Sequence, residues 1–395
     1  MSESLLADAE PAESQSEKEL KQLAKTRAME IAEAGQTYAY MLDVWSKRHH
    51  GDKPLGKALL YSLGSQSVSN SQGIHVCTTG RGGYGKSDGI KKMGELVHPM
   101  FWKNRGVTPQ TLYYSGPNMP DGIVIGLDDI VWNGDLGVTV KRITTDYQEG
   151  ATRLTTVEME GKEFQAAKRI AFWASCVDSQ ADEQIRDRFI TYCVASGPDR
   201  SQEIIAHMQA EDMGDSKPQD DHLETLVCQY LTLDLKQKLF TVVIPFSNRI
   251  DFTGDPRAYN IFRDMIKSSA VFRYMKRKKD SEGRLIATIE DFENAKSLYV
   301  EIGGHDRDKY SDAEMNVLKA IVVNGGEATQ AQIQEIAQLS AGRVSDILNG
   351  RGKENHGLLH KCKELIVEEG RPKKYRLDSS FDPTIKVSIE LREPT

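Results

Sequence analysis

Apolar and polar positions divide the chain into stretches of different period. From Lys18 to Trp45 the sequence is rich in Ala, Glu, Lys, Leu and Met and lacks proline, which predicts one or two helices ended by His49-His50-Gly51-Asp52-Lys53-Pro54. Between Gly73 and about Ser179, the short unpunctuated apolar runs Ile74 to Thr78, Gly122 to Leu127 and Arg169 to Ser175 alternate with helical patterns. Such runs suit strands buried on both faces, so this part predicts an α/β fold, a parallel sheet sandwiched by helices. A fourth run, Leu239 to Ile244, follows a mostly helical stretch containing the polar loop Met213 to Asp221, and helices are expected from Asp255 to Tyr299. Gly303-Gly304-His305-Asp306 reads as a linker. The expected division is an acidic tail at 1–20, a helical segment at 21–53, an α/β domain with its helical block at 54–302, a linker at 303–309, a small unit at 310–377 and a tail at 378–395.

The 395 residues are enough for two or three domains, and 39% hydrophobic with 28% charged residues excludes a wholly disordered chain. No run approaches the length of a membrane helix, and the acidic N-terminus lacks the basic and apolar regions of a signal peptide, so a cytoplasmic protein is expected. Cys77, Cys176, Cys193, Cys228 and Cys362 form no CxxC pair and are odd in number, which argues for reduced core thiols rather than a zinc ribbon or a disulfide framework. A net charge of −7 argues against a nucleic-acid binder, but the distribution changes that picture. Residues 1–20 hold six acids and one base, whereas residues 263–284 hold eight Lys/Arg against three acids and residues 341–376 nine against five.

Directly after the run Ile74 to Thr78 comes Gly80-Arg81-Gly82-Gly83-Tyr84-Gly85-Lys86-Ser87, a complete G-x-x-x-x-G-K-[ST] phosphate loop, with a helix expected from Lys86 to Leu96. Glycines let backbone N–H groups curl around a β-phosphate, Lys86 reaches the β/γ oxygens, and the Ser87 hydroxyl suits Mg²⁺. The candidate nucleotide-binding residues are Gly80, Gly82, Gly83, Tyr84, Gly85, Lys86, Ser87 and Asp88. Ile123-Val124-Ile125-Gly126-Leu127-Asp128-Asp129 supplies the acidic strand tip such a loop needs, with Asp128 toward Mg²⁺ and Asp129 placed to orient and deprotonate the attacking water. The nine histidines show no metal-ligand spacing, and no Ser-His-Asp or Cys-His arrangement stands out.

The order of phosphate loop, acidic strand, polar insert from Lys141 to Val157, strand Ala171 to Ser175, then Arg186-Asp187-Arg188-Phe189 and the helical block from Asp255 resembles the AAA+ helicases of mobile genetic elements. These are similar to the minichromosome-maintenance and superfamily 3 helicases, and the resemblance covers about residues 70–300. It implies a P-loop AAA+ ATPase with an α-helical lid that hydrolyses ATP with Mg²⁺. Ser175, or else Ser179, stands where that family's sensor 1 contacts the γ-phosphate or the attacking water. Arg188, with Arg186 as competitor, stands where a trans-acting arginine finger is expected, and Arg257, or else Arg263, where sensor 2 is expected. The insert stands where the family carries a pore hairpin, which makes Lys141, Arg142, Tyr147 and Arg153 candidates for contact with single-stranded DNA. Arg273 to Lys279, five positive charges around Tyr274, is a further stretch able to meet phosphates.

At the C-terminal end, Glu314 to Val323, Gln330 to Ala337 and Ala341 to Leu348 read as helices, the last two separated by the turn Gln338-Leu339-Ser340. A fourth helix near Gly357 to Lys363 and a hairpin with the basic tip Arg371 to Lys374 complete a resemblance to a winged-helix domain. Its implied duplex-DNA contacts are Arg343, Arg371, Lys373 and Lys374. The leading expectation is thus a ring-forming, hexameric DNA motor, a replicative helicase of a plasmid, phage or integrated element, with a primase or other replication protein as partner. The alternatives are an initiator or loader ATPase, and a remodelling ATPase whose winged helix binds protein.

Overall fold

The computed structural model describes residues 14–80, 83–104, 108–130, 134–157, 160–176, 187–194, 198–213, 222–253, 255–302, 310, 312–351, 355–362, 365–368, 370, 372–377 and 389–393. They fall into two compact units. One takes the chain to Asn248 and again Pro256–Leu298, and the other takes Arg249–Asp255 and the chain from Tyr299.

In the first unit the elements are α1 (Gln15–Glu33), α2 (Thr37–Arg48), α3 (Lys53–Ser65), β1 (His75–Thr79), α4 (Lys86–Glu95), β2 (Trp102–Asn104), α5 (Pro109–Tyr114) and β3 (Val124–Leu127). There follow α6 (Gly134–Thr145), β4 (Thr152–Val157), β5 (Glu160–Gln165), β6 (Ala171–Ser175), β7 (Phe189–Cys193), α7 (Pro198–Asp212), α8 (His222–Lys236) and β8 (Val242–Val243). After β9 (Ile250–Phe252), which belongs to the second unit, come α9 (Pro256–Val271), β10 (Leu285–Ile286) and α10 (Ile289–Glu301).

The central sheet is fully parallel in the order β2-β3-β6-β1-β7, so β6 lies between the phosphate-loop strand β1 and the acidic strand β3. This places Thr78, Ser175 and Leu127 at neighbouring strand tips, with Thr78 paired to Ser175 and Leu127 to Ala174. Ile125, Phe172, Ala174 and Phe189 pack one face of the sheet into a core with Leu112, Val140 and Ile143. Uninterrupted apolar strands are what a sheet covered on both sides requires. Helices α1 and α2, expected as a separate segment, belong to this unit: α1 runs along α8, α2 packs on α3 and α4, and Met41, Val44 and Trp45 are fully buried. Helix α9 packs along α3 with eleven of its residues buried.

Three expectations need correction. The stretch Lys141 to Val157 is not one hairpin: Lys141 and Arg142 lie on helix α6, and the antiparallel hairpin is β4–β5, starting at Thr152. The run Leu239 to Ile244 yields only β8, which pairs with β10 outside the central sheet. Of the cysteines, Cys193 is exposed and the other four are buried. Sequence reading also passed over β2, a three-residue Trp-Lys-Asn strand with one apolar side chain, and β7, Phe189–Cys193, whose Phe-Ile-Thr-Tyr-Cys run mixes polar and apolar residues.

The second unit contains α11 (Asp312–Val323), β11 (Glu327–Thr329), α12 (Gln330–Ala337), α13 (Ala341–Asn349), β12 (Gly350–Arg351), β13 (Asn355–His356), α14 (Leu358–Lys361), β14 (Leu365–Glu368), β15 (Lys374–Leu377) and β16 (Ile389–Leu391). Its sheet is antiparallel in the order β11-β15-β14, and its core joins Val317, Leu318, Ile333, Val344, Leu348 and Tyr375. Helix α12 starts with a capping box between Thr329 and Gln332, and the Ser340 hydroxyl caps α13. The terminal stretch 378–395 is not simply a tail, because β16 within it pairs antiparallel with β9. Among the described residues no helix is long and apolar enough to cross a membrane.

Candidate nucleotide-binding site

Strand β1 delivers the chain to the loop at its C-terminal tip, and Gly80, Gly83 and Gly85 all adopt positive φ, which lets the backbone turn on itself before α4 begins at Lys86. Arg81 and Gly82 lie outside the described residues. Lys86 is buried, its ammonium donating to the Gly80 carbonyl at 2.7 Å and to the Cys176 carbonyl at 3.0 Å. Both acceptors are neutral, so among the described residues the cation is held inside the loop without a carboxylate, an arrangement a phosphate oxygen improves. Tyr84 is tied outward: its hydroxyl pairs with Ser201 at the start of α7, 3.0 Å away.

Across the sheet tips Ser175 is the shared partner. Its hydroxyl donates to Asp128 at 2.9 Å, accepts from the Asp129 amide at 3.0 Å and lies 3.1 Å from the Ser87 hydroxyl. Ser87 also donates to Asp128. Lys91, one turn beyond Ser87 on α4, places its ammonium 3.1 Å from the other Asp128 oxygen. The Ser87 hydrogen bond above all, with those from Ser175 and Lys91, holds the Asp128 carboxyl below the usual carboxylate range, against a smaller upward push from burial. Ser87, Lys91, Asn104, Asp128 and Ser175 thus line one small hollow. Sequence reading missed Lys91 and Asn104. The i,i+4 spacing from Ser87 would have revealed Lys91, whereas Asn104 is brought in by the pairing of β2 with β3. Asp128, Ser87 and Ser175 are hard oxygen donors at one point, the donor set Mg²⁺ accepts, and they are the residues that would hold it. The Asp88 carboxylate faces away, engaged with His49 at 2.8 Å and Lys92 at 3.3 Å, which leaves only its backbone N–H, in the first turn of α4, toward the loop.

Residues 22–238 match a family model described as the MTBMA_p00010 P-loop domain. The chain belongs to this P-loop family. Its loop is therefore a nucleotide-binding loop, consistent with nucleoside triphosphate hydrolysis. The uncharacterized protein MTBMA_p00010 of Methanothermobacter marburgensis is 22% identical over 297 residues, covering 70% of this chain and 36% of that protein. The chain thus spans about a third of the length of that relative.

The remaining arginines of this P-loop protein lie elsewhere. Arg188 precedes β7 and Arg257 opens α9, and both line a cleft of about 390 Å³ with His75, at the N-terminal end of β1. The phosphate loop is at the other end of that strand, so Arg257 is not a γ-phosphate contact within its own chain. It pairs with Asp187 at 2.8 Å, while Arg188 donates to the Thr144 and Thr145 hydroxyls at 3.2 and 3.1 Å. Burial, and next the neighbouring Arg257, press the Arg188 pKa downward. Burial likewise drives the His75 pKa to about 3, with Arg188 adding to the effect. Arg263 donates to Asn260 at 2.6 Å, and Ser179 and Arg186 lie outside the described residues.

The expected nucleic-acid residues divide. Tyr147 is buried against Gly73, where an added Cβ would lie 2.3 Å from its ring, and against His75, so it is not available for base stacking. Lys141 is half-buried and Arg142 exposed, both on α6, and Arg153 on β4 lies over the Tyr113 ring at 5.9 Å. In the stretch 273–279, Arg277 pairs with the buried Asp291, Arg273 with Glu290, and Tyr274 donates to Asp234 at 2.8 Å, so these three serve the fold. In the second unit Arg343 and Lys373 are exposed, Lys374 pairs with Glu327, and Arg371 lies outside the described residues.

Proposed function

We propose that the protein is an ATP-hydrolysing, ring-forming AAA+ motor that moves on DNA, acting as a helicase of a mobile genetic element. The observation that carries the reading is the convergence of Lys86, Ser87, Asp128 and Ser175 at adjacent strand tips, together with a pair of arginines at the opposite end of the same sheet. In this reading Lys86 leaves its two carbonyls for the β/γ oxygens, and Asp129 orients and deprotonates the attacking water. Ser175 holds both acids by one hydroxyl. Bound at Ser87 and Asp128, Mg²⁺ would supply charge neutralisation to the phosphates. A β-strand rises about 3.3 Å per residue, so Arg188 and Arg257 stand a strand's length from their own loop and act on a nucleotide only in a neighbouring copy, which is what a ring provides.

The second unit is read as a winged helix, with α13 as its recognition helix and the β14–β15 hairpin as its wing. Its cations favour a second reading for this unit alone: Lys374 and Arg376 are matched by Glu327 and Glu368, a pattern that suits a protein partner as well as phosphates.

The test is ATP hydrolysis by the full chain with and without single-stranded DNA, alongside strand displacement on a forked duplex. Wild type is expected to hydrolyse ATP faster with DNA and to displace the strand, and Lys86→Ala to do neither. Hydrolysis that ignores DNA across a salt series would move the assignment to a remodelling ATPase.

A further inference from the structure

His49, the residue that closes α2, is buried against the phosphate loop. Trp45 in the last turn of α2 meets Gly89 of α4, and His49 just after that helix meets both Gly89 and Gly85, the residue before α4. The Trp45 indole donates to the Gly89 carbonyl at 2.9 Å, and an added Cβ at either glycine would lie 3.2 Å from the imidazole. Gly85 also needs its positive φ of 88°, and an added Cβ at Gly89 would lie 3.0 Å from Leu55 as well.

Both ring nitrogens face carboxylates, Nδ1 at 2.8 Å from Asp88 and Nε2 at 3.3 Å from Asp52. No neutral tautomer serves both. With a single N–H, the other nitrogen turns a lone pair toward an ionised oxygen. The acids keep their charge through partners of their own: Asp88 faces Lys92 of α4, and Asp52 faces Tyr192 of β7 at 3.0 Å and Arg200 of α7 at 2.9 Å. Arg200 in turn meets Glu203 at 3.2 Å. The Asp52 backbone adopts φ 48°, a left-handed conformation that non-glycine residues hold only under tertiary constraint.

We propose that His49 is a doubly protonated positioning residue of the phosphate loop, clamping the first turn of α4, and with it Lys86 and Ser87, to the α2–α3 turn and onward through Asp52 and Arg200 to α7. Burial alone would lower the imidazole's pKa, but the hydrogen bonds to Asp52 and Asp88 outweigh it and the net direction is upward. The clamp is therefore complete below that raised value and loses a donor as pH rises through it. The proposal rests on the loop being a nucleotide site only for its effect on affinity, not for the state of the ring.

The experiment uses the full chain labelled with ¹⁵N-histidine, without nucleotide. Both His49 nitrogens are expected at protonated shifts at pH 7, assigned by their loss in His49→Gln, and Asp52→Asn is expected to lower the pH at which they change. A neutral tautomer at pH 7 overturns the charge assignment. Amide exchange in the first turn of α4 is expected to quicken about tenfold in His49→Gln, the worth of one charge-assisted hydrogen bond, with β14 and β15 unchanged. MgATP affinity is expected to fall by a similar factor. Unchanged exchange overturns the positioning role. A wild type that binds no MgATP defeats the nucleotide reading instead, and the nitrogen shifts and amide exchange still decide the role of His49.

Discussion

Ser175→Ala removes one oxygen on which three groups depend. The Asp129 amide loses its acceptor at 3.0 Å, at a residue whose φ of 44° already lies in the left-handed region. Asp128, with its side chain 41% exposed, recovers a water in place of the hydroxyl, so the loss there is small. Most of the cost falls on the amide and the backbone it pins, about 1–2 kcal/mol. For a unit of this size that is about 2–4 °C in Tm per kcal/mol. On turnover the effect is larger, because the same hydroxyl aligns both acids with Ser87. Losing one preorganised group of this kind costs about 10²–10³ in kcat. ATP affinity, set by Lys86 and the loop amides, is expected to stay within about threefold, since the interaction serves the transition state rather than the ground state. Thermal unfolding, calorimetric ATP binding and steady-state phosphate release measure the three quantities. A kcat within about twofold of wild type, accompanied by the full loss of Tm, would show that Ser175 only props the strand tip and would refute its place in the chemistry.

Arg188→Ala subunits are expected to bind ATP but hydrolyse it about 10³–10⁵ more slowly, and mixing them with Lys86→Ala subunits to restore part of the rate; no recovery at any mixing ratio means Arg188 acts within its own chain or only structurally. Tyr147→Ala is expected to destabilise the first unit by about 3–5 kcal/mol in denaturant unfolding, with DNA affinity unchanged for the protein that remains folded; selective loss of DNA binding at full stability would return Tyr147 to a nucleic-acid role.

The phosphate loop and its flanking strand and helix were legible because their determinants are local. Glycines at positive φ, a lysine and a serine at fixed spacing, and an apolar run before them all lie within 14 residues, Ile74 to Ser87. The acidic strand was legible for the same reason, and so were the helices of the second unit, whose caps sit next to the segments they start. What the sequence could not carry is which tips become neighbours. Ser175 meets Ser87 and Asp128 across 88 and 47 residues only because β6 is inserted between β1 and β3. Tyr147 reads as an aromatic in a polar stretch until helix α6 turns it into the space above Gly73. Arg257 reads as a contact to its own chain's nucleotide until the parallel sheet sends it, with Arg188, to the end away from the loop, and His49 reads as part of a helix-ending turn until α2 docks on Gly85 and Gly89. Local backbone preference writes the loop, but a charge or a ring acquires its role from the partners that chain crossings bring to it, and those are set by how the strands and helices pack.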